Sequence, residues 1–242
     1  MKDTLYIIIP AYNEEENIMK TIQDWYPIVE KYNSNGSSRL VIIDDGSTDK
    51  TYHLLTEATK DRPLLLPITK DNSGHGSSVL FGYQYALAHN ADFIFQTDSD
   101  GQTLSSEFAK FWHLRDEYDM IIGWRKNRQD GISRLFVTKT LKLVIRLCFG
   151  VSVKDANTPF RLMKASVLKE YISLIPENFN LSNVILSVIY TKENLSVKYL
   201  PITFRQRQGG TNSIDISKIF HIGKQALKDF RTINYRLGKP RQ

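Results

Sequence analysis

Four short, mainly apolar runs alternate with helical stretches over the first hundred residues, and that alternation limits the chain to few folds. Leu5–Ile9, Leu40–Ile43, Leu64–Ile68 and Asp92–Gln96 have strand length. Glu14–Val29 places Ile18, Ile22, Trp25 and Val29 at helical spacing. Asp49–Thr59 and Gly76–His89 read as second and third helices, and Asn33–Ser38 as a loop. Pro63 and Pro67 flank or interrupt the third strand and keep it short. Such alternation implies a parallel sheet with right-handed crossovers. Strands apolar on both faces are buried in these sheets, and ligands sit beyond their carboxyl ends. Each polar cluster of this half lies at such an end: Pro10-Ala11-Tyr12-Asn13-Glu14, Asp44-Asp45-Gly46-Ser47, Asn72-Ser73-Gly74-His75-Gly76 and Asp98-Ser99-Asp100. Four clusters at four strand ends converge on one crevice.

The second half is less regular. Met120–Gly123 and Val197–Phe204 read as strands and Ser133–Phe149 as a basic helix. In a terminal helix over 215–237, Ile216, Ile219, Phe220, Ala226, Leu227, Phe230, Ile233 and Leu237 fall on one face. With no repeat or linker, the 242 residues read as one domain. Within it, about 1–124 and about 125–213 form two unlike halves and about 214–242 a basic helix. Cys148 is the sole cysteine, expected as inert core, so no intramolecular disulfide can form. No secretory signal is read, and no apolar stretch approaches the roughly 20 residues that span a bilayer. The expectation is a soluble or membrane-surface protein in a reducing compartment.

Charge divides the chain. Residues 1–124 hold 10 Lys/Arg and 19 Asp/Glu, whereas 125–242 hold 22 and 7. A basic second half attracts polyanions: nucleic acid, anionic headgroups or phosphorylated substrates. No aromatic–basic motif of RNA-binding type accompanies the charge, so no nucleic-acid partner is expected.

The strand-end clusters carry specific chemistry. In Phe95-Gln96-Thr97-Asp98-Ser99-Asp100-Gly101-Gln102, carboxylates at i and i+2 on an extended turn can point into one site. They suit a hard divalent cation that completes its shell with substrate phosphates. Pro10 is expected to stop the first ladder, and Tyr12 could stack on a base. Glu14 and Glu15 are expected at the first helix start, where the dipole favours carboxylates. Asp44 or Asp45 can accept from a base or ribose, Gly46 permits a tight turn, and Ser47, Thr48 or Asp49 could cap the next helix.

Together these residues resemble the signature series of family 2 glycosyltransferases. Downstream, Gly123-Trp124-Arg125, Arg134 with Thr138, Asp155-Ala156-Asn157-Thr158-Pro159-Phe160-Arg161 and Arg207-Gln208-Gly209-Gly210 resemble the polyprenyl-phosphate sugar transferase branch, which includes dolichol-phosphate mannose synthases. The likeness covers roughly residues 4–213. It implies an α/β GT-A fold, a Rossmann-like mixed sheet with helices on both faces, here with a C-terminal amphipathic helix. It assigns Pro10, Tyr12, Glu14, Asp44 or Asp45, Asp98 and Ser99 to the nucleotide sugar, a UDP- or GDP-sugar. Asp100 and Gln102 match ligands of Mg²⁺ or Mn²⁺, and Arg125, Arg134, Thr138 and Arg207 match positions on donor or acceptor phosphates. Asp100, Arg125, Arg134 and Arg207 are the expected catalytic residues.

The acceptor is read from a missing group. Transfer to a sugar hydroxyl needs a general base, yet Asn178-Phe179-Asn180-Leu181-Ser182-Asn183 has no carboxylate. A phosphomonoester, with a second pKa of about 6, needs no base at neutral pH. It needs cations, and residues 125–154 supply 8 Lys/Arg against Asp130 alone. The expected reaction is therefore inverting transfer of a hexose to a polyprenyl (undecaprenyl or dolichyl) phosphate. The expected location is peripheral, at the cytoplasmic face of an anionic membrane, alone or with a membrane-embedded partner. The alternatives are a hydroxyl acceptor served by Asp155 or Glu177, a nucleotidyltransferase, and a non-catalytic nucleotide-sugar-binding module.

Overall fold

The computed structural model describes residues 3–33, 36–125, 132–206 and 216–238; for 132–138 and 216–226 it describes the helical backbone alone. In chain order the elements are β1 (Leu5–Ala11), α1 (Ile18–Lys31), β2 (Arg39–Asp44), α2 (Thr51–Ala58), β3 (Leu65–Thr69), α3 (His75–Ala88), β4 (Phe93–Gln96) and α4 (Phe108–His113). There follow β5 (Met120–Arg125), α5 (Ile132–Phe149), β6 (Arg161–Lys164), α6 (Ala165–Tyr171), α7 (Ser182–Lys192), β7 (Val197–Ile202) and α8 (Ile216–Leu237).

The strands form one sheet in the order β3-β2-β1-β4-β6-β5-β7. β3, β2, β1 and β4 run parallel, as their alternation with helices requires. β6 lies antiparallel between β4 and β5, which makes the sheet mixed. The expected boundary near residue 124 falls inside β5, so the sheet is continuous across it.

Side chains alternate between the faces. Tyr6 and Ile8 of β1 join a core with Val79, Tyr83, Ile145, Val184 and Phe230, from α3, α5, α7 and α8. Leu5, Ile7 and Ile9 join the opposite core with Ile18, Trp25, Leu55 and Phe108, from α1, α2 and α4. At Gly82 a Cβ would lie 2.3 Å from Ile8 Cγ2, so α3 rests directly on β1.

β6 escaped the sequence because it opens on Arg161, a residue type rarely fully buried. Arg161 has no exposed surface. Its guanidinium donates to the carbonyls of Thr158 (2.7 Å), Ala156 (3.2 Å) and Asn183 (2.9 Å), which makes burial tolerable.

Several expectations are corrected. Pro10 does not end the ladder: it pairs with Ile43, and the Asp45 N–H donates to the Ala11 carbonyl at 2.9 Å. The missing Pro10 donor would face β4, which has already ended at Gln96. Pro67 and Pro201 lie within β3 and β7, the two edge strands, where a missing donor is tolerated. α1 begins at Ile18, so Glu14 and Glu15 precede it. β7 ends at Ile202, short of Phe204. In α8, Phe230, Ile233 and Leu237 are buried as expected, but Leu227 is exposed. Cys148 is only partly buried, at the margin of the core. Among the described residues no helix is long and apolar enough to cross a membrane.

Candidate functional site

The crevice lies beyond the carboxyl ends of β1, β2, β3 and β4. Its first two loops are tied to each other by backbone donors. Asn13 stands at φ 53°, a left-handed conformation that Asn tolerates better than most residues. Its Oδ1 accepts the Thr48 N–H at 2.8 Å, and Ser47 Oγ accepts the Asn13 N–H at 2.9 Å. Thr51 Oγ1 accepts the Glu14 N–H at 2.8 Å, and Asp49 Oδ2 that of Glu15 at 3.1 Å. The N-cap of α2 is Lys50, not Ser47, Thr48 or Asp49; Asp49 precedes it, and its Oδ1 accepts the Thr51 N–H at 2.9 Å. Glu14 is buried, and its carboxylate accepts the Asn17 amide at 2.7 Å. Tyr12 is 48% exposed at the mouth of the crevice, open to a planar ligand.

Asp44 and Asp45 are both buried but differently held. Asp44 Oδ2 accepts the Thr69 hydroxyl at 2.8 Å. Asp45 accepts the Lys70 ammonium and the backbone N–H groups of Ser73 (3.0 Å) and Gly74 (2.8 Å). Burial alone would raise its pKa; these hydrogen bonds, led by Lys70, outweigh that and hold it below the ordinary carboxylate value. Gly46, at φ 69°, makes the turn, and a Cβ there would meet the Asn72 nitrogen at 3.0 Å.

The third and fourth loops meet at His75 and Asp98. His75 Nε2 lies 2.9 Å from Asp98 Oδ1. Desolvation opposes a charge on the imidazole, but Asp98, then Asp100 and Asp45, raise its pKa above the ordinary value. The sequence reading gave His75 no role, although its position beside Gly74 in a strand-end cluster was the available signal. Ser99, expected on the nucleotide sugar, is buried, and its hydroxyl donates to the Pro10 carbonyl at 3.0 Å. Ser99 thereby fastens the turn to β1, and Thr21 Oγ1 donates to the Ser99 carbonyl at 2.9 Å.

Asp100 Oδ1 accepts the Gln102 N–H at 3.1 Å. Gln102 Nε2 donates to the Arg205 carbonyl at 2.9 Å, which turns its amide oxygen the other way. Among the described residues no three His, Cys, Asp or Glu side chains could hold a metal by themselves. The Asp100 carboxylate and the Gln102 amide oxygen are nonetheless hard donors. They fit Mg²⁺ or Mn²⁺ as part of a shell completed by phosphate and water oxygens.

On the opposite side, Arg125 ends β5. Its Nε and Nη2 donate to Asp155 at 3.0 and 2.8 Å, and both side chains are buried. Asp155 is therefore held by a guanidinium rather than presented as a base, and Glu177 is exposed. The segment before α7 adjoins α3 at the crevice: a Cβ at Gly76 would lie 2.4 Å from the carbonyls of Phe179 and Asn180. Arg207 lies outside the described residues, as do the side chains of Arg134 and Thr138.

A family model described as glycosyl transferase family 2 matches residues 6–172. An undecaprenyl-phosphate 4-deoxy-4-formamido-L-arabinose transferase of Pectobacterium atrosepticum is 24% identical over 234 residues, covering 96% of this chain and 68% of that protein. An uncharacterized protein of Methanocaldococcus jannaschii is 27% identical over 230 residues, 90% of each chain. Among solved structures, Mycobacterium tuberculosis glucosyl-3-phosphoglycerate synthase, in complex with Mn²⁺ and UDP-glucose, superposes with a TM-score of 0.65 at 16% identity. That match covers 99% of this chain and 81% of the synthase.

Proposed function

The chain belongs to glycosyl transferase family 2, and from that premise we propose that it transfers a hexose, with inversion, from a UDP- or GDP-sugar to a polyprenyl phosphate. The observation that carries the acceptor is the pairing of Asp155 with Arg125, together with a 178–183 segment that has no carboxylate. A hydroxyl acceptor would need a base there. The relatives named as undecaprenyl-phosphate transferases support the same class.

In this reading one domain holds both substrates. Tyr12 stacks on the base, while Glu14, Asp44 or Asp45, and Asp98 line the nucleoside side. Ser99 and Pro10 hold the turn that presents Asp98. Asp100 and Gln102 would hold Mg²⁺ or Mn²⁺, which when bound neutralises charge on the leaving diphosphate. Arg125 faces the acceptor phosphate through the part of its guanidinium that Asp155 does not take, and the family resemblance assigns Arg134, Thr138 and Arg207 to the same phosphate. An acceptor phosphate oxygen attacks the anomeric carbon. The bond to the donor diphosphate breaks, and the nucleoside diphosphate departs with the electron pair. The enzyme works at the cytoplasmic face of the membrane, where soluble donor meets lipid acceptor.

The test is product analysis with a panel of UDP- and GDP-sugars, Mn²⁺ and a polyprenyl phosphate. The expected product is a lipid-linked sugar phosphate, cleaved by mild acid, with release of nucleoside diphosphate. An acid-stable glycoside would instead establish a hydroxyl acceptor.

A further inference from the structure

We propose that α5 docks the enzyme on an anionic bilayer through Leu143 and Leu147. The helix has two distinct faces. Ile145 and Phe149 point into the core and are buried. Leu143 and Leu147, one turn apart on the opposite face, are 58% and 76% exposed. Neighbours at this spacing form one stripe, and leucine is an unusual choice for a stripe left to water. Lys139, Lys142 and Arg146 are exposed around it. Residues 132–154 carry five Lys/Arg and no Asp or Glu.

This combination suits one kind of occupant. Leucine side chains insert at the acyl boundary, while flanking cations meet lipid phosphates through long stems. An apolar protein surface would match the leucines but leave the three cations without counter-charges. In chain order α5 follows β5, whose last residue is Arg125. α8 packs along α5, with Phe149 and Phe230 ring centroids 5.3 Å apart. The exposed residues of α8 include Lys228, Arg231 and Tyr235. The docking face lies on the same helix as Arg134 and Thr138, the positions assigned to the acceptor phosphate, and its link to catalysis rests on the proposed acceptor.

The test uses the full chain with vesicles of phosphatidylcholine alone, or mixed with phosphatidylglycerol. Wild type should float with the mixed vesicles and release as salt rises. The double variant L143Q/L147Q should bind them about tenfold or more weakly. Its melting temperature, and its turnover of a short-chain, water-soluble polyprenyl phosphate, should match wild type. Equal vesicle binding by the two proteins would overturn the proposal, as would failure of wild type to bind mixed vesicles. Loss of a dimer in sedimentation velocity, with vesicle binding intact, would overturn it in favour of a contact between copies. If the variant loses vesicle binding while neither protein uses the short-chain phosphate, docking stands and the acceptor assignment falls.

Discussion

His75 Nε2 lies 2.9 Å from Asp98 Oδ1, joining the first residue of α3 to the loop after β4. The pair makes stability depend on pH. The folded pKa of His75 is raised above 6.5, so its contribution is complete below about 6.5 and fades as pH rises through the folded value. Solvent screens this half-exposed pair, which limits its worth to about 0.2–1 kcal/mol. His75→Gln should therefore melt below wild type at mildly acidic pH and level with it at alkaline pH. A pH-independent difference between the two proteins would refute the pairing.

The Arg125–Asp155 pair should be strongly coupled. Asp155→Ala leaves a buried guanidinium without its carboxylate, at a cost of about 3–5 kcal/mol. Urea denaturation of both single variants and the double variant reads the coupling. Additive losses would mean that the two side chains act independently.

Gly76 is fixed by contact rather than by backbone conformation. Any side chain there meets the Phe179 and Asn180 carbonyls, and such overpacking costs about 1–3 kcal/mol. Gly76→Ala should lower the denaturation midpoint and weaken donor binding in calorimetry. Wild-type behaviour in both measurements would show that the 179–180 segment yields freely.

Metal and nucleotide should bind together, because Asp100 and Gln102, as the proposed ligands, would supply only part of a shell. A ligand at a hundred times its dissociation constant stabilises the native state by about 2.7 kcal/mol. The expected thermal shift with UDP or GDP needs Mn²⁺, disappears with EDTA and is lost in Asp100→Ala. An undiminished metal-dependent shift in that variant would move the metal elsewhere.

Much of this architecture was legible because it rests on periodicity. The four parallel strands are apolar on both faces, and their polar ends mark the crevice without further information. β6 was illegible because Arg161 reads as surface until the carbonyls of Ala156, Thr158 and Asn183 are in place. The individual site residues were named more readily than their tasks. Ser99 and Asp45 stand in a sequence pattern that marks ligand binding, yet their partners are Pro10 and the 70–74 loop. Such assignments depend on which loops meet, and that is a property of tertiary packing.

The cross-ties among residues 13–15 and 47–51 have a consequence for engineering. Asn13, Ser47, Thr48, Asp49 and Thr51 form a brace between two loops. Altering them would loosen the crevice as a whole before it changed what the crevice selects. Tyr12 and His75 are exposed and stand outside that brace. A library aimed at a new donor would begin with those two positions and leave the brace intact.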